Sequence, residues 1–165
     1  KLFRKVRDKE GFLQLSKSAL KYKPGAGVYR SSYKNAMRLT RTEINTAYRE
    51  ADYLRWQQLD FVVGVEVRRS NRKYDCDVCE SLKGKYPKDF KFTQFHPQCR
   101  CFAIPILATE KELMDSIKTG EPIKSKNEVK GAPKNFNKWV EENKERIDRA
   151  KSKPYWMKDN MEFLE

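Results

Sequence analysis

Four cysteines in two close pairs are the feature of this sequence that most constrains its fold. Two residues separate Cys76 from Cys79, one residue separates Cys99 from Cys101, and the chain's single histidine, His96, comes three positions before the second pair. Pairs of this kind are typical of structural zinc sites, in which two short turns each supply ligands to one tetrahedral ion. The sequence therefore predicts a closed, structural zinc site formed from these five residues.

Five candidate ligands compete for four places around such an ion. In an extended segment, residues two apart face the same side, so Cys99 and Cys101 can both reach the metal. A lone histidine is more often a structural group than a ligand, which favours four sulfurs over three sulfurs with His96, and both sets stay open. Two disulfides, or buried free thiols, are the alternatives without metal. The clustering of all four cysteines between residues 76 and 101 favours the metal.

Two catalytic kinds of zinc site do not fit these residues. The nucleobase deaminases need a His-x-Glu pair beside their Cys-x-x-Cys, and no glutamate lies two positions after His96. The His-Glu-x-x-His metalloproteases need two histidines, whereas this chain has one. The pattern favours a structural ion without an open coordination position.

Charge is concentrated at the start of the chain. The whole sequence carries a net charge of +13, and residues 1–41 contain twelve Lys and Arg against two acidic residues, which gives +10. Such a stretch can bind phosphates or acidic protein surfaces, or can be a solvated face. No apolar run is long enough to cross a bilayer. Because the first residue is Lys1 rather than Met, we expect the chain to be a piece of a longer protein.

Hydrophobic periodicity predicts a mostly helical α+β fold with a small antiparallel sheet or hairpin clamped by the zinc knuckles. Residues 9–22 have apolar side chains at helical spacing, and a second helix is predicted from Thr40 to about Gln58. Thr40 and Glu43 have the spacing of a capping box at its start. The apolar stripe that we expect this helix to pack along consists of Ile44, Ala47, Tyr48, Ala51, Leu54 and Leu59.

The remaining segments complete the predicted architecture. Alternating valines predict a half-buried strand over 63–67, a second strand is predicted over 102–107 at a sheet edge because it contains Pro105, and residues 82–92 suggest a hairpin between them. Thr109 and Glu112 form a second capping box, for a helix ending at Gly120. A further helix capped by Asn135 precedes an apolar anchor at 154–157, which we expect to dock on its own domain.

These patterns divide the chain into four parts. Residues 1–34 are predicted to be a basic helical extension, 35–119 the zinc-knuckle core, 120–134 a linker rich in Lys, Pro and Gly, and 135–165 a C-terminal helix with an aromatic tail. At 165 residues, with 38% hydrophobic and 36% charged residues, a modest core with large solvated surfaces is expected.

An ordered set of motifs resembles a known family. Arg41-x-Glu43 heading a helix, a strand, the first cysteine pair, Leu82-x-Gly84, and His96-Pro97-x-Cys99-x-Cys101 before an apolar strand are similar to the phage head-morphogenesis family, the Mu F-like minor head proteins. The resemblance covers roughly residues 35–107. It implies a minor capsid protein of a phage or prophage, with structural zinc.

What the resemblance implies about function is specific. Such a protein acts in head morphogenesis, DNA packaging or DNA delivery near the portal, within the virion or the host bacterial cytoplasm. Capsid and portal proteins are the implied partners, with DNA a further partner for the basic N-terminal stretch and no role for a membrane or a small-molecule substrate. The chain is expected to be non-enzymatic, with no catalytic residues.

Two other functions stay open from the residues. One is a toxin or effector domain, a nuclease or an ADP-ribosyltransferase, carried on a phage-derived scaffold. It would need a general base and an anion clamp, for which Glu43, Arg41 and Arg100 are the candidates. The other is a nucleic-acid-binding zinc module, which would bind duplex DNA with steep salt dependence.

Overall fold

The structure is a computed structural model that describes residues 5–20, 32–70 and 76–164. The chain divides into two compact units, Lys1–Arg41 and Thr42–Glu165. Helices and small antiparallel sheets together make an α+β fold, as the sequence predicts. The strands are β1 (Lys5–Arg7), β2 (Leu13–Leu15), β3 (Val62–Arg68), β4 (Gly84–Tyr86) and β5 (Phe102–Leu107). The helices are α1 (Lys17–Leu20), α2 (Ser32–Gln57), α3 (Asp77–Leu82), α4 (Glu110–Thr119), α5 (Lys134–Arg149), α6 (Tyr155–Lys158) and a 3-10 turn (Met161–Phe163).

The first unit contains a β-hairpin where the sequence predicts a helix. Strands β1 and β2 pair antiparallel, and the turn between them is held by the Asp8 carboxylate, which accepts hydrogen bonds from the backbone N–H groups of Glu10 and Phe12. Gly11 adopts a left-handed φ of 87°, which this turn requires. The helix predicted over 9–22 is therefore wrong up to residue 15. The hydrogen bonds and the glycine of this turn outweigh the weak apolar stripe that favours a helix. Tyr22, the last residue of that stripe, lies outside the described residues.

Helix α2 confirms the strongest helical prediction and corrects its details. It begins at Ser32, several residues before the predicted start, so Thr40 and Glu43 lie inside the helix and form no capping box. A capping-box pattern can occur within a helix whenever its residues have sufficient helix propensity, because the sequence alone does not say which turn is the first.

The apolar stripe of α2 is exposed, contrary to our expectation that it packs against the core. Ile44, Tyr48 and Leu54 are 50%, 72% and 53% exposed. Within the second unit, the opposite and more polar face of α2 contacts the core instead, and it includes the buried Thr42 and the partly buried Arg49. Side-chain hydrogen bonds from this polar face, rather than apolar burial, attach α2 to the core.

Strands β4, β3 and β5 form the antiparallel sheet of the second unit, with β3 in the centre. Both predicted strands are confirmed, and β5 with Pro105 lies at the sheet edge as predicted. The valines of β3 are buried on both faces, since Val62, Val63, Val65 and Val67 are each at most 9% exposed. The predicted hairpin over 82–92 is wrong: β4 pairs with β3, and residues 90–92 form no strand.

The segments after β5 pack closely on this sheet. Helix α4 has the predicted capping box and ends at Gly120 in the left-handed conformation. The segment predicted as a linker has no helix or strand but is attached to β3, since the Val129 N–H donates to the Val63 carbonyl at 3.2 Å. Asn135 does not cap α5, which begins after Pro133; its side-chain amide instead donates to carbonyls at the end of α3.

Aromatic side chains fill the core beside the sheet. Tyr86, Phe90, Phe136 and Trp156 are at most 1% exposed, and Tyr86 stacks on Phe90 at 4.0 Å between ring centroids. The apolar anchor predicted at 154–157 therefore docks on its own unit, as expected. It also contacts the loop that carries the histidine, because the Trp156 Nε1–H donates to the Phe95 carbonyl at 3.2 Å.

Candidate metal centre

The first cysteine pair lies at the start of a short helix. Cys76 is the N-cap residue of α3 and has an extended backbone conformation, while Cys79 lies in the first turn. The Glu80 N–H donates to the Cys76 carbonyl at 3.0 Å, which closes this turn. Residues three apart in a helical turn lie on one side, so the two-residue spacing directs both sulfurs to the same place.

The second pair lies on a tight turn that enters β5. The Cys99 N–H donates to the His96 carbonyl at 3.1 Å, and between them Gln98 adopts a φ of 60°, a left-handed conformation that is uncommon for a residue with a side chain. This turn brings His96 and Cys99 to the same side. Cys101 follows directly before β5, at the point where the chain becomes extended.

The five predicted residues come together in the structure. The His96 Nε2 lies 3.2 Å from the Cys76 Sγ and 3.0 Å from the Cys79 Sγ, and the sulfurs of Cys79 and Cys99 are 3.8 Å apart. Two groups of donor atoms result, Cys76 with Cys79 and His96, and Cys79 with Cys99 and Cys101; within each group all atoms lie within 4.8 Å of one another. Cys79 belongs to both groups, and the cluster could hold a metal ion.

The histidine ring is oriented for ligation. Its Nδ1 lies 2.9 Å from the Pro97 carbonyl, which can only accept a hydrogen bond, so Nδ1 carries the proton. In the neutral ring this leaves a lone pair on Nε2, the atom that faces the sulfurs of Cys76 and Cys79. Histidine ligands to metals usually have such a donor bond from the second ring nitrogen, which fixes both tautomer and ring angle.

Helix α2 holds the second cysteine loop in place. The Arg49 guanidinium donates to the carbonyls of Thr93 at 2.6 Å, Cys99 at 2.9 Å and Cys101 at 2.5 Å. The Thr42 hydroxyl accepts a hydrogen bond from the Gln98 N–H at 3.2 Å. Sequence reasoning missed both residues, because an arginine and a threonine in an amphipathic helix give no local signal of a contact some fifty residues away.

The charges of the sulfur cluster depend on one another. Hydrogen bonds from the Cys101 and Cys79 thiols lower the pKa of Cys99 to about 2. The pKa of Cys79 is raised, because its proton is shared with Cys101 and Cys99 and because its thiolate would be buried. Burial lowers the pKa of Arg49, and the nearby cysteine sulfurs oppose this change.

The disulfide alternative does not match this geometry. All four cysteines are free, and Cys79 and Cys99 are separated by 3.8 Å between sulfurs, where a disulfide needs about 2.05 Å. Cys79, Cys99 and Cys101 are buried and Cys76 is half-buried, so the sulfurs face one another in the interior of the second unit.

An apolar cavity lies beside the histidine. Its volume is about 330 Å³, and its walls include Val78, Phe95, Trp139 and Trp156, together with the ring of His96. Among the residues named for an enzymatic alternative, Glu43 is an exposed residue within α2, and Arg100 is exposed on the cysteine loop. Neither Glu43 nor Arg100 lines this cavity.

No helix in the described part of the chain combines the length and the hydrophobicity that a membrane span requires. Comparisons with family models, with curated proteins and with solved structures found no match to this chain.

Proposed function

We propose that this chain is a zinc-stabilised, non-enzymatic minor head protein of a phage or prophage, acting in head morphogenesis or DNA delivery near the portal. The observation that carries the proposal is that Cys76, Cys79 and His96 form one group of donor atoms in the second unit and Cys79, Cys99 and Cys101 form another, so that Cys79 belongs to both. The same residues belong to the ordered set of motifs that resembles the Mu F-like minor head proteins.

Zinc is the metal that these donors suit best. Thiolates and one imidazole form the closed four-coordinate sites that structural zinc prefers. Two sulfurs bound to one tetrahedral zinc at about 2.3 Å are about 3.8 Å apart, which agrees with the 3.8 Å between Cys79 and Cys99. The contacts of His96 with the sulfurs, at 3.0 and 3.2 Å, are a few tenths shorter than this geometry requires.

Within the proposal, the ligands are Cys76, Cys79 and His96, which form one group of donor atoms, and Cys99, whose sulfur lies 3.8 Å from that of Cys79. The position of the histidine Nε2 between two sulfurs and its fixed tautomer support this set over four sulfurs. Cys101 then stands next to the ion as a thiol that bonds to the ligand Cys99. Zinc in this place would join the start of α3 to the entry of β5.

Metal analysis tests the zinc proposal directly. The purified chain should contain one zinc per molecule, and chelation should unfold the second unit, as followed by near-UV circular dichroism. Cys79→Ser should abolish zinc binding, because Cys79 belongs to both groups of donors. A sample without metal that keeps its folded spectrum would overturn the proposal.

A matched pair of variants identifies the fourth ligand. If His96 is a ligand, His96→Ala should weaken zinc binding at least tenfold, whereas Cys101→Ser should change it little. Cobalt substitution adds a spectroscopic readout, because a site with three sulfurs and one nitrogen absorbs at higher energy than one with four sulfurs. The reverse order of affinities would favour the set of four cysteines.

The head function needs its own test. In the described part of the first unit Lys5, Arg7, Lys9 and Lys17 are exposed, which supports contact with DNA or with acidic capsid surfaces. We expect the protein to be present in purified heads in few copies, as measured by quantitative mass spectrometry. Binding to duplex DNA should weaken steeply with salt and be lost when residues 1–20 are deleted. If mass spectrometry of purified heads from the producing phage does not detect this protein, the proposal is refuted.

A further inference from the structure

The exposed apolar face of α2 is unexplained by the metal centre. Ile44, Tyr48 and Leu54 are each at least half exposed, and Ala47 and Ala51 beside them are exposed as well. These five residues form one continuous stripe along the helix, because they recur at spacings of three and four. Amphipathic helices usually bury their apolar stripe against another surface, so we expect a binding partner to cover this face of α2.

The stripe has the periodicity of a coiled coil. Ile44, Ala47, Ala51, Leu54 and Gln58 alternate spacings of three and four, which places them at the a and d positions of two heptads. Four of these five positions are apolar. We refer to the a and d positions from Ile44 to Leu54 as the seam of α2.

The seam faces away from the rest of the second unit. Thr42, Arg49 and Trp56 occupy the f positions opposite the seam; Thr42 is buried, and Arg49 donates to the cysteine loop. The neighbouring Gln57 also donates to the core, through the Lys88 carbonyl at 2.8 Å. The core is therefore attached along the side of the helix that a coiled-coil partner leaves free. Two copies could meet along their seams with both metal centres on the outside.

We propose that the seam binds the α2 helix of a second copy of this chain, in parallel orientation. Glu50 lies at a g position and Arg55 at the following e position. In a parallel pair a g residue faces the next e residue of the partner, so Glu50 of each copy meets Arg55 of the other. In an antiparallel pair e faces e and g faces g. With Ala47 opposite Ala51 of the partner, Glu50 would then face Glu50 and Arg55 would face Arg41.

The surrounding contacts are compatible with this pairing. Glu50 binds Lys91 at 2.8 Å within its own copy, yet its side chain stays 37% exposed and keeps a second oxygen for the partner. Ala47 and Ala51 are small enough to let the two helix backbones approach closely. The inference depends only on α2 and does not require the proposed function or the identity of the metal.

The seam is short, so the dimer should be weak. Two heptads bury less than the roughly 800 Å² per partner of a stable interface, and a dissociation constant on the order of 10–100 μM is expected. Sedimentation equilibrium of the full, metal-loaded chain across this concentration range should show a reversible increase from monomer to dimer mass.

Paired variants test the seam itself. Leu54→Lys should weaken dimerisation at least tenfold, because it places two charges inside the seam. Leu107→Lys is the matched control: Leu107 is 47% exposed on β5, compared with 53% for Leu54, and lies outside the seam. It should leave the dissociation constant unchanged. Circular dichroism of both variants establishes that they fold.

Orientation has a separate test. Arg55→Glu should weaken the dimer about three- to tenfold if the pair is parallel, because the new glutamate then faces Glu50 of the partner. An antiparallel pair would not be weakened, since the new glutamate would face Arg41 of the partner in place of a like charge. A chain that stays monomeric up to about 500 μM, well above the expected dissociation constant, or that responds equally to Leu54→Lys and Leu107→Lys, would refute the second-copy proposal. An unchanged dimer in Arg55→Glu would refute its parallel orientation.

Discussion

The contact of Arg49 with the cysteine loop gives the sharpest prediction. Replacing Arg49 with methionine keeps most of the side-chain volume but removes the charge and all donors. Three backbone carbonyls, those of Thr93, Cys99 and Cys101, then lose a charged partner at 2.5 to 2.9 Å. The aromatic ring of Phe92, whose centroid lies 5.1 Å from the guanidinium carbon, keeps an apolar neighbour.

The magnitude follows from these contacts. A hydrogen bond to a charged group contributes about 1.5–3 kcal/mol, and a buried carbonyl left without a donor costs about 1–3 kcal/mol. Arg49 is only partly buried, so water can replace some of the lost bonds, and the burial of its charge already costs free energy. We therefore expect Arg49→Met to lower the free energy of unfolding by about 3–5 kcal/mol.

Urea denaturation of the metal-loaded protein measures this effect. With a slope of about 2 kcal/mol per molar, the midpoint should fall by about 1.5–2.5 M. Arg55→Met is the matched control, an exposed arginine in the same helix, and should change the free energy of unfolding by at most about 0.5 kcal/mol at concentrations where the chain is monomeric. Metal release to a chelator should also become faster in Arg49→Met. Equal midpoints for the two variants would show that the three hydrogen bonds do not stabilise the loop.

Three further predictions use the same denaturation assay. Gly64→Ala should destabilise the protein by about 1–3 kcal/mol, because the new Cβ would lie 2.8 Å from a valine side chain. Gly131→Ala is the control and should not destabilise, because nothing lies within 4 Å of its new Cβ. Equal effects of the two substitutions would contradict the packing argument. Asn160→Ala should cost about 2–4 kcal/mol, because Asn160 is buried with three backbone partners that would lose their bonds. Glu112 accepts a hydrogen bond from the Thr109 N–H, which lowers the pKa of the Glu112 carboxyl from 4.5 to about 2. The stability that Glu112 adds relative to Glu112→Gln should therefore be complete above about pH 4.5 and disappear as the pH falls toward 2. A stability difference between the two proteins that does not change with pH would exclude this.

Motifs with short-range geometry were predictable from the sequence. The spacing of the cysteines identified all five residues that converge, because a Cys-x-x-Cys turn and a His-x-x-Cys turn each place their donors on one side regardless of the surrounding fold. The capping box at Thr109 and the edge position of β5 with Pro105 were confirmed for the same reason. Each depends on hydrogen bonds or steric limits within a few residues.

Errors arose where a local pattern fits more than one structure. Residues 9–15 have an apolar stripe that fits a helix, but the Asp8 carboxylate and Gly11 stabilise a hairpin turn instead. The predicted hairpin over 82–92 failed because β4 pairs with the more distant β3 rather than with its neighbour in sequence. Asn135 has the chemistry of a cap, yet its amide satisfies two carbonyls of another helix.

The sequence by itself determined that the donors of each cysteine turn face one side, with the histidine beside the second pair, since turn geometry within six residues places each set of donors. Only the tertiary structure decided which face of α2 is buried. An amphipathic pattern says that a helix has an apolar face, but not that Arg49 and Thr42 on the other face will find unsatisfied backbone groups of the cysteine loop. Those hydrogen bonds join residues far apart in the chain, and they leave the apolar seam of α2 facing outward.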